Sequence, residues 1–269
     1  MSARQSIYFA HANGFPSPCY RRFFTTLEAN YRLECLEMGG HNPAFPVDNN
    51  WDALCDELID DLERKANEPV IGLGHSMGGI LTLLASIRRP DLFQAFIMLD
   101  PPIIMGPSAW LTGLAKRGGL MDRITPAAIS ERRRTEWPDL ETAIDSLKKK
   151  RLFRNFEPAC LADYLRYGTA PSKKGIRLRF SPRTEAAIFR TIPHNLPNLP
   201  RTRVPGALIY GEQSHVIRFR DLQRLTKHQG LLLHSSPGGH MFPFEHPQST
   251  GQAVIKALDA LQSHYALAQ

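Results

Sequence analysis

The chain has 269 residues, of which 42% are hydrophobic, and a formal net charge of +7. This length is sufficient to bury a sizeable core, and no uninterrupted apolar run reaches the ~18 residues of a membrane-spanning helix. The first residues, Met1 to Gln5, lead straight into a strand-like segment rather than into the apolar region of a signal peptide. We therefore expect a soluble, cytoplasmic protein without a membrane span.

The first predicted strand lies near the N-terminus, where the apolar segment Ser6 to Ala10 runs into the loop His11-Ala12-Asn13-Gly14-Phe15-Pro16. A helix is predicted to begin near Trp51. From there, apolar side chains recur at helical spacing on one face and acidic side chains occupy the other. This acidic face indicates a solvated helix surface and requires no chemistry.

The most informative motif is Gly74-His75-Ser76-Met77-Gly78, between the apolar run 69–73 and the apolar, helix-like stretch 80–87. A serine that attacks a carbonyl projects from a sharp strand-to-helix turn. Glycines two residues before and after the serine let neighbouring backbone segments approach this turn closely. The helix start also supplies oriented N–H groups. The pattern predicts a nucleophile elbow with Ser76 as the nucleophile.

A further strand is predicted for Ala95 to Leu99, which ends at Asp100-Pro101-Pro102 because proline cannot donate to a sheet. The segment 105–190 follows, with helix-like patterns near 109–116, 126–134, 140–152 and 157–167. A proline-rich return then leads to a strand at about Val204 to Tyr210.

The positive charge is concentrated in this middle part of the chain. Residues 101–190 contain 18 Lys and Arg against 9 Asp and Glu, whereas the rest contains 15 against 17. The densest runs are Arg132-Arg133-Arg134 and Lys148-Lys149-Lys150-Arg151. They indicate either a solvated helix face or attraction of an anionic substrate. Nucleic-acid binding is not expected, because the runs lack interleaved aromatic residues.

The last motif follows the apolar run 231–233 and comprises Gly238-Gly239-His240-Met241-Phe242-Pro243. The elbow, the N-terminal loop and this motif, in their order along the chain, resemble the α/β-hydrolase family. The resemblance implies a mostly parallel, eight-stranded type of sheet with helices on both faces. It also implies a core of residues 1–104 and 191–269, and a mainly helical, basic cap of residues 105–190 inserted after strand six.

The resemblance assigns His240 as the general base, and the base needs a carboxylate that fixes its tautomer. Most family members carry an aspartate after strand seven at the place where this chain has Ser214, which cannot supply a negative charge. Some members take the acid from the end of strand six, where Asp100 stands. Asp100 is the predicted acid, Glu212 is the alternative, and a Ser–His dyad oriented by a neutral group is the third.

An oxyanion hole is expected from the backbone N–H of Met77 together with one from the N-terminal loop. Phe15, after Gly14, is the predicted second donor. Family members commonly have His-Gly-aromatic-Pro there, whereas Ala12-Asn13 is inserted in this chain. Asn13 is therefore a candidate side-chain participant, and His11 is expected to hydrogen-bond the loop backbone, as is His75.

These residues predict a serine hydrolase that cleaves an ester or thioester of a small to medium acyl compound, without a metal or organic cofactor. The alternatives are a carbon–carbon bond hydrolase, lyase or acyltransferase on the same fold, or a degenerate hydrolase that binds a ligand. Six cap residues are predicted either to line an apolar acyl slot or to pack on the core: Trp110, Leu111, Leu114, Phe153, Phe156 and Tyr164. The oligomeric state stays open.

Overall fold

The computed structural model describes residues 4–266, and its central sheet has six parallel strands, which lie across the sheet in the order 32–35, 6–10, 70–75, 93–99, 206–211 and 232–236. The strands are β1 (Ser6–Ala10), β2 (Arg32–Cys35), β3 (Val70–His75), β4 (Phe93–Leu99), β5 (Glu136–Trp137), β6 (Thr169–Ser172), β7 (Gly175–Leu178), β8 (Gly206–Gly211) and β9 (Leu232–Ser236). The α/β-hydrolase fold is confirmed. The eight-stranded form is not found in residues 4–266, where the sheet comprises six strands.

The α-helices connect the strands and cover both faces of the sheet. They are α1 (Arg21–Leu27), α2 (Asp52–Lys65), α3 (Met77–Arg88), α4 (Pro107–Arg117), α5 (Met121–Ile124), α6 (Ala127–Glu131), α7 (Leu140–Lys148), α8 (Pro158–Gly168), α9 (Pro182–Arg190), α10 (Phe219–Gln229), α11 (Phe242–Glu245) and α12 (Pro247–Ala266). A parallel sheet requires such cover because helical crossovers connect its strands and both of its faces are apolar.

The alternation of side chains along β1 divides the core into two layers. Ile7 and Phe9 belong to one buried cluster, and Tyr8 and Ala10 belong to the other. Successive strand residues point to opposite faces of a sheet, so a continuous apolar strand supplies both layers. Helices α1 and α12 pack together on the first face, and α2 and α3 pack together on the second.

The segment between β4 and β8 contains α4 to α9 and a separate antiparallel sheet in the order β5-β7-β6. The sequence patterns indicated helices here and missed this sheet. Its strands are two to four residues long, too short for an apolar alternation to stand out. The predicted helix at 126–134 is shorter than expected, since α6 ends at Glu131.

The topology places several functional candidates at one edge of the sheet. The loop 11–15 follows β1, Ser76 follows β3, Asp100 follows β4, and His240 lies in the loop after β9. Carboxyl ends of neighbouring parallel strands open into a shared crevice, where ligands bind in α/β folds. Within residues 4–266, no helix combines the length and apolar composition needed to cross a bilayer.

Candidate active site

Ser76 occupies a strained turn between β3 and α3, with φ +54° and ψ −115°. A Cβ atom on Gly74 would overlap the carbonyl oxygen of Gly78, and one on Gly78 would overlap that of Ala10. The two glycines therefore permit the close packing of the turn against β1. A strained backbone at such a turn is typical of a nucleophile elbow, in which the serine hydroxyl projects from the end of the strand.

The imidazole of His240 lies between Ser76 and Asp100. Its Nε2 is 3.0 Å from the Ser76 hydroxyl oxygen, and its Nδ1 is 2.7 Å from Oδ2 of Asp100. The loop that carries His240 is held by Glu245, whose carboxylate accepts a hydrogen bond from the Gly239 N–H at 2.6 Å. This hydroxyl–imidazole–carboxylate chain has the geometry by which a base takes a proton from a nucleophile.

Asp100 is fully buried at the end of β4, with φ +42°. Its Oδ1 accepts a hydrogen bond from the Gly211 N–H at 2.9 Å, and its Oδ2 accepts one from the Ser214 hydroxyl at 2.6 Å. These two donors and the imidazole of His240 solvate the carboxylate in place of water. Ser214, which stands where the resemblance places the acid of most family members, thus donates a hydrogen bond to the carboxylate of Asp100.

Glu212, the alternative acid, lies apart from this chain of contacts. Its side chain is exposed, and its Oε1 accepts a hydrogen bond from the Ser235 hydroxyl at 2.9 Å. The structure therefore brings Ser76, His240 and Asp100 together and leaves Glu212 outside. The glutamate side chain is longer than that of aspartate, but the backbone position of Glu212 directs its carboxylate toward β9.

The amide of Met77 is the first of helix α3, where a backbone N–H has no intrahelical acceptor. The predicted second donor is wrong: the Phe15 N–H donates to the Ala12 carbonyl at 3.0 Å and closes a tight turn. The Ala12 N–H donates to the Tyr20 hydroxyl at 3.2 Å. Within residues 4–266, the amides of Asn13 and Gly14 have no such protein acceptor, which makes them the candidates in this loop.

The side chain of Asn13 does not point a donor at the serine. Its Nδ2 donates to the backbone carbonyl of Glu185, on helix α9, at 3.0 Å. His11 is fully buried, with Nδ1 2.8 Å from the Ala12 carbonyl and Nε2 accepting from the Gly39 N–H at 2.8 Å. Both side chains therefore brace the loop after β1.

Tyr20 and His75 form a buried link between the loop after β1, the end of β3 and the loop that carries His240. The Tyr20 hydroxyl accepts from the Ala12 N–H and lies 2.7 Å from Nδ1 of His75. Nε2 of His75 lies 2.9 Å from the carbonyl of His240, so that nitrogen carries the proton and Nδ1 accepts from the tyrosine. Burial, and then the nearby imidazole of His240, hold the pKa of His75 well below its ordinary value. Sequence patterns did not indicate Tyr20.

Removing the Tyr20 hydroxyl should destabilise the protein. Tyr20→Phe leaves the Ala12 N–H and the His75 Nδ1 without partners in a buried site, which costs about 2 kcal/mol or more. We expect urea unfolding to show this loss in the free energy of unfolding. The matched change Tyr31→Phe, at a half-buried tyrosine, should cost less, and equal losses in the two variants would contradict the role given to the link.

Stability should fall in mild acid because of His11. Burial lowers the pKa of His11 to about 4, whereas the unfolded chain takes up a proton near pH 6.5. The unfolded state therefore binds more protons between these values, and His11 alone should lower the free energy of unfolding by about 3 kcal/mol from pH 7 to pH 4, in addition to the loss caused by His75. Urea unfolding across this range measures the slope. His11→Gln should reduce the slope to the part that His75 supplies, and His246→Gln, at an exposed site, should leave it unchanged. The same slope in all three proteins would contradict the prediction.

The six cap residues predicted to line an acyl slot or to pack on the core divide into two groups. Phe153, Phe156 and Tyr164 are buried, and their rings pack around Phe15 at centroid distances of 4.9 to 6.2 Å. Trp110, Leu111 and Leu114 on α4 are exposed, Trp110 by 67%. The first group thus packs on the core, and the second faces outward in this structure.

The basic runs are mostly solvent-exposed. Arg132 and Arg134 are exposed, as are all four members of the second run, residues 148–151. Arg133 differs, because its guanidinium turns inward and lies 2.5 Å from the carboxylate of Glu185. The arrangement is consistent with a solvated face for most of the charge, and the attraction of an anionic substrate stays a prediction.

Comparison with known proteins places the chain in the Alpha/beta hydrolase family, whose model matches residues 7–253. The chain therefore belongs to this family. Among solved structures, E-2-(acetamidomethylene)succinate hydrolase is similar over 96% of this chain and 92% of that chain, with a TM-score of 0.76 and 17% identity. At 17% identity, this similarity shows a shared fold.

Two curated relatives illustrate the range of the family. The abhydrolase domain-containing protein AFT2-1 of Alternaria alternata is 32% identical over 43% of this chain and 39% of its own length. The (lyso)-N-acylphosphatidylethanolamine lipase of Homo sapiens is 26% identical over 71% of this chain and 60% of its own length. The chain thus matches less than two thirds of either relative.

Proposed function

We propose that the protein is a serine hydrolase that cleaves an ester or thioester of a small to medium acyl compound through an acyl-enzyme intermediate. The observation that carries the proposal is the chain of contacts from the Ser76 hydroxyl through His240 to Asp100, at 3.0 Å and 2.7 Å. Family membership and relatives that include a lipase and a type I acyl-CoA thioesterase support a hydrolytic reaction.

In the proposed reaction, His240 Nε2 takes the proton from Ser76 as the serine oxygen bonds to the substrate carbonyl carbon. Asp100 holds the Nδ1 proton and stabilises the imidazolium that forms. The imidazolium then protonates the departing alkoxide or thiolate, and the carbon–oxygen or carbon–sulfur bond breaks. Water, deprotonated by His240, attacks the acyl-enzyme; the acid product leaves and the proton returns to Ser76.

The negative oxygen formed in both steps requires hydrogen-bond donors that are already in place. We assign the Met77 N–H as one donor and the N–H of Asn13 or Gly14 as the other. Residues 105–190 act in this proposal as a cap that closes the site over the substrate. Contact of Glu185 with Asn13 supports this placement of the cap, because it joins α9 to the loop after β1.

A fluorophosphonate probe tests the proposal. Intact-mass analysis should show one adduct on the native chain and none on Ser76→Ala, and His240→Ala should react at least ~100-fold more slowly because the serine loses its base. No adduct on correctly folded native protein would refute an activated serine and favour a ligand-binding role. A panel of 4-nitrophenyl esters and acyl thioesters of matched chain length would then separate esterase from thioesterase activity.

A further inference from the structure

Helix α4 turns an apolar face toward solvent. Ala109 and Thr112 of this helix are buried, whereas the neighbouring large side chains are not. The exposed fractions of Trp110, Leu111 and Leu114 are 67%, 57% and 42%. Positions i, i+1 and i+4 lie on one side of a helix, so these three side chains form a continuous apolar surface, called the α4 face below. Adjacent exposed apolar side chains of this size mark an interaction surface.

The loop between β8 and α10 extends this surface. Arg218 Nη1 donates to the Ser108 hydroxyl, at the start of α4, at 3.1 Å. Beside Arg218, the side chains of Val216 and Phe219 are exposed. The α4 face and this loop therefore adjoin, and each presents apolar side chains to solvent.

The same two segments carry positive charge without acidic residues. Residues 105–121 and 213–220 contain no Asp or Glu. The next acidic residue along the chain, Asp221, is buried and pairs with Arg224 at 3.2 Å. The exposed guanidinium groups of the two segments belong to Arg117, Arg218 and Arg220. The surface is therefore both apolar and cationic, and a partner with negative charge and apolar groups complements it.

A groove adds a place for an anionic group beside the α4 face. It has a volume of about 300 Å³ and lies between α4 and residues 194–198. Trp110, Leu114 and Arg117 are among the residues that line it, and none of the described residues around it is acidic. The guanidinium of Arg117 and the two apolar side chains thus border one space, as an anionic headgroup with an attached acyl chain requires.

We propose that the α4 face and the loop after β8 form a docking surface for an anionic lipid bilayer. Tryptophan and leucine enter the boundary between headgroups and acyl chains, and arginine stays with the headgroups, as in segments that lie in that interface. A second copy of the chain is a poorer occupant, because it would place Arg117, Arg218 and Arg220 opposite like charges. Both elements follow strands at the sheet edge that carries Ser76, so docking places that edge beside the bilayer.

Vesicle flotation with the full native chain tests the surface. We expect binding to vesicles of phosphatidylcholine and phosphatidylserine, at a ratio of about 3:1, to be at least about 10-fold tighter than to phosphatidylcholine alone. The affinity for the mixed vesicles should fall by about 10-fold or more between about 0.05 M and about 0.5 M NaCl. Tryptophan emission gives a second readout. Trp51 and Trp137 are buried, so a blue shift on binding reports the third tryptophan, Trp110.

Two substitutions separate the apolar from the charged contribution. Leu114→Gln and Arg117→Glu should each weaken binding to the mixed vesicles by about 10-fold or more. The first removes an inserted apolar group, and the second places a negative charge at an anionic surface. The matched controls are Leu233→Gln, at a similarly exposed leucine on β9, and Arg203→Glu, at an exposed arginine before β8. Both controls should bind within about 3-fold of the native chain.

The docking is independent of the proposed hydrolysis, so Ser76→Ala should bind the mixed vesicles as the native chain does. No binding of the folded native chain to these vesicles would overturn the proposal, as would equal losses in the variants and their controls. A dimer of the native chain in sedimentation velocity that Leu114→Gln abolishes would also overturn it, because the α4 face would then be covered by a second copy.

Discussion

Replacing Ser76 by alanine should reduce kcat for an activated aryl ester by about 10⁵-fold or more, with KM changed by less than about 3-fold. The hydroxyl oxygen is the proposed nucleophile, and its removal ends the covalent route while the donors and the cap are left in place. The remaining activity over the uncatalysed reaction would come from binding and the oxyanion donors alone. Steady-state kinetics with 4-nitrophenyl esters measure the effect.

Ser86→Ala provides the control, because this buried serine lies at the far end of the same helix, α3. Its hydroxyl donates to the Leu83 carbonyl, so the substitution should cost some stability and leave kcat unchanged. If Ser76→Ala lost less than about 100-fold in kcat, a nucleophilic role for Ser76 would be untenable.

Asp100→Asn should lower kcat by about 10⁴-fold while the fold stays intact. The carboxylate accepts the Nδ1 proton of His240, and an amide at this place favours the tautomer in which Nε2 carries the proton and cannot take one from Ser76. The amide also meets the Gly211 N–H, which can only donate, so the amide oxygen has to face Gly211 and the NH₂ group then faces the imidazole and the Ser214 hydroxyl. Turnover and urea unfolding should be measured on the same preparations.

Glu212→Gln is the matched control for Asp100, since it makes the same change at the alternative acid. This variant should retain turnover within about 3-fold, because the carboxylate of the native Glu212 contacts the Ser235 hydroxyl and not the imidazole of His240. The reverse pattern, with Glu212→Gln inactive and Asp100→Asn active, would move the acid to Glu212. Ser214→Ala should have an intermediate effect, because it removes one hydrogen bond to the carboxylate and leaves the charge.

Several parts of the fold were predictable from local patterns. The apolar runs of β1, β3 and β4 and the helix after Ser76 are recognisable because buried parallel strands and their crossover helices have continuous apolar sequences. The small sheet of β5 to β7 was not predictable, because its short strands are held by pairing across the segment rather than by local preference.

The second oxyanion donor of the candidate site was also not predictable from local sequence patterns. The motif around Gly14 indicated Phe15 by analogy, but a tight turn uses the Phe15 N–H and leaves the amides of Asn13 and Gly14. Hydrogen bonding within a loop depends on its dihedral angles, which the two inserted residues change. Glu185 was missed for a related reason, since it contacts the loop from 172 positions along the chain. Tyr20 lies only eight residues from Ala12, but its link to His75 spans 55 positions and depends on the packing of the sheet.

The sequence alone indicated the family, the strand–turn–helix around Ser76 and the candidates for nucleophile, base and acid, because a short turn between a strand and a helix constrains its own residues. Only the tertiary structure placed the Asp100 carboxylate, rather than that of Glu212, against the imidazole of His240 and joined Asn13 to helix α9. The physical reason is that hydrogen bonds and ion pairs form over about 3 Å, whereas the residues that form them lie up to 172 positions apart, and only the packing of the sheet and helices sets that distance.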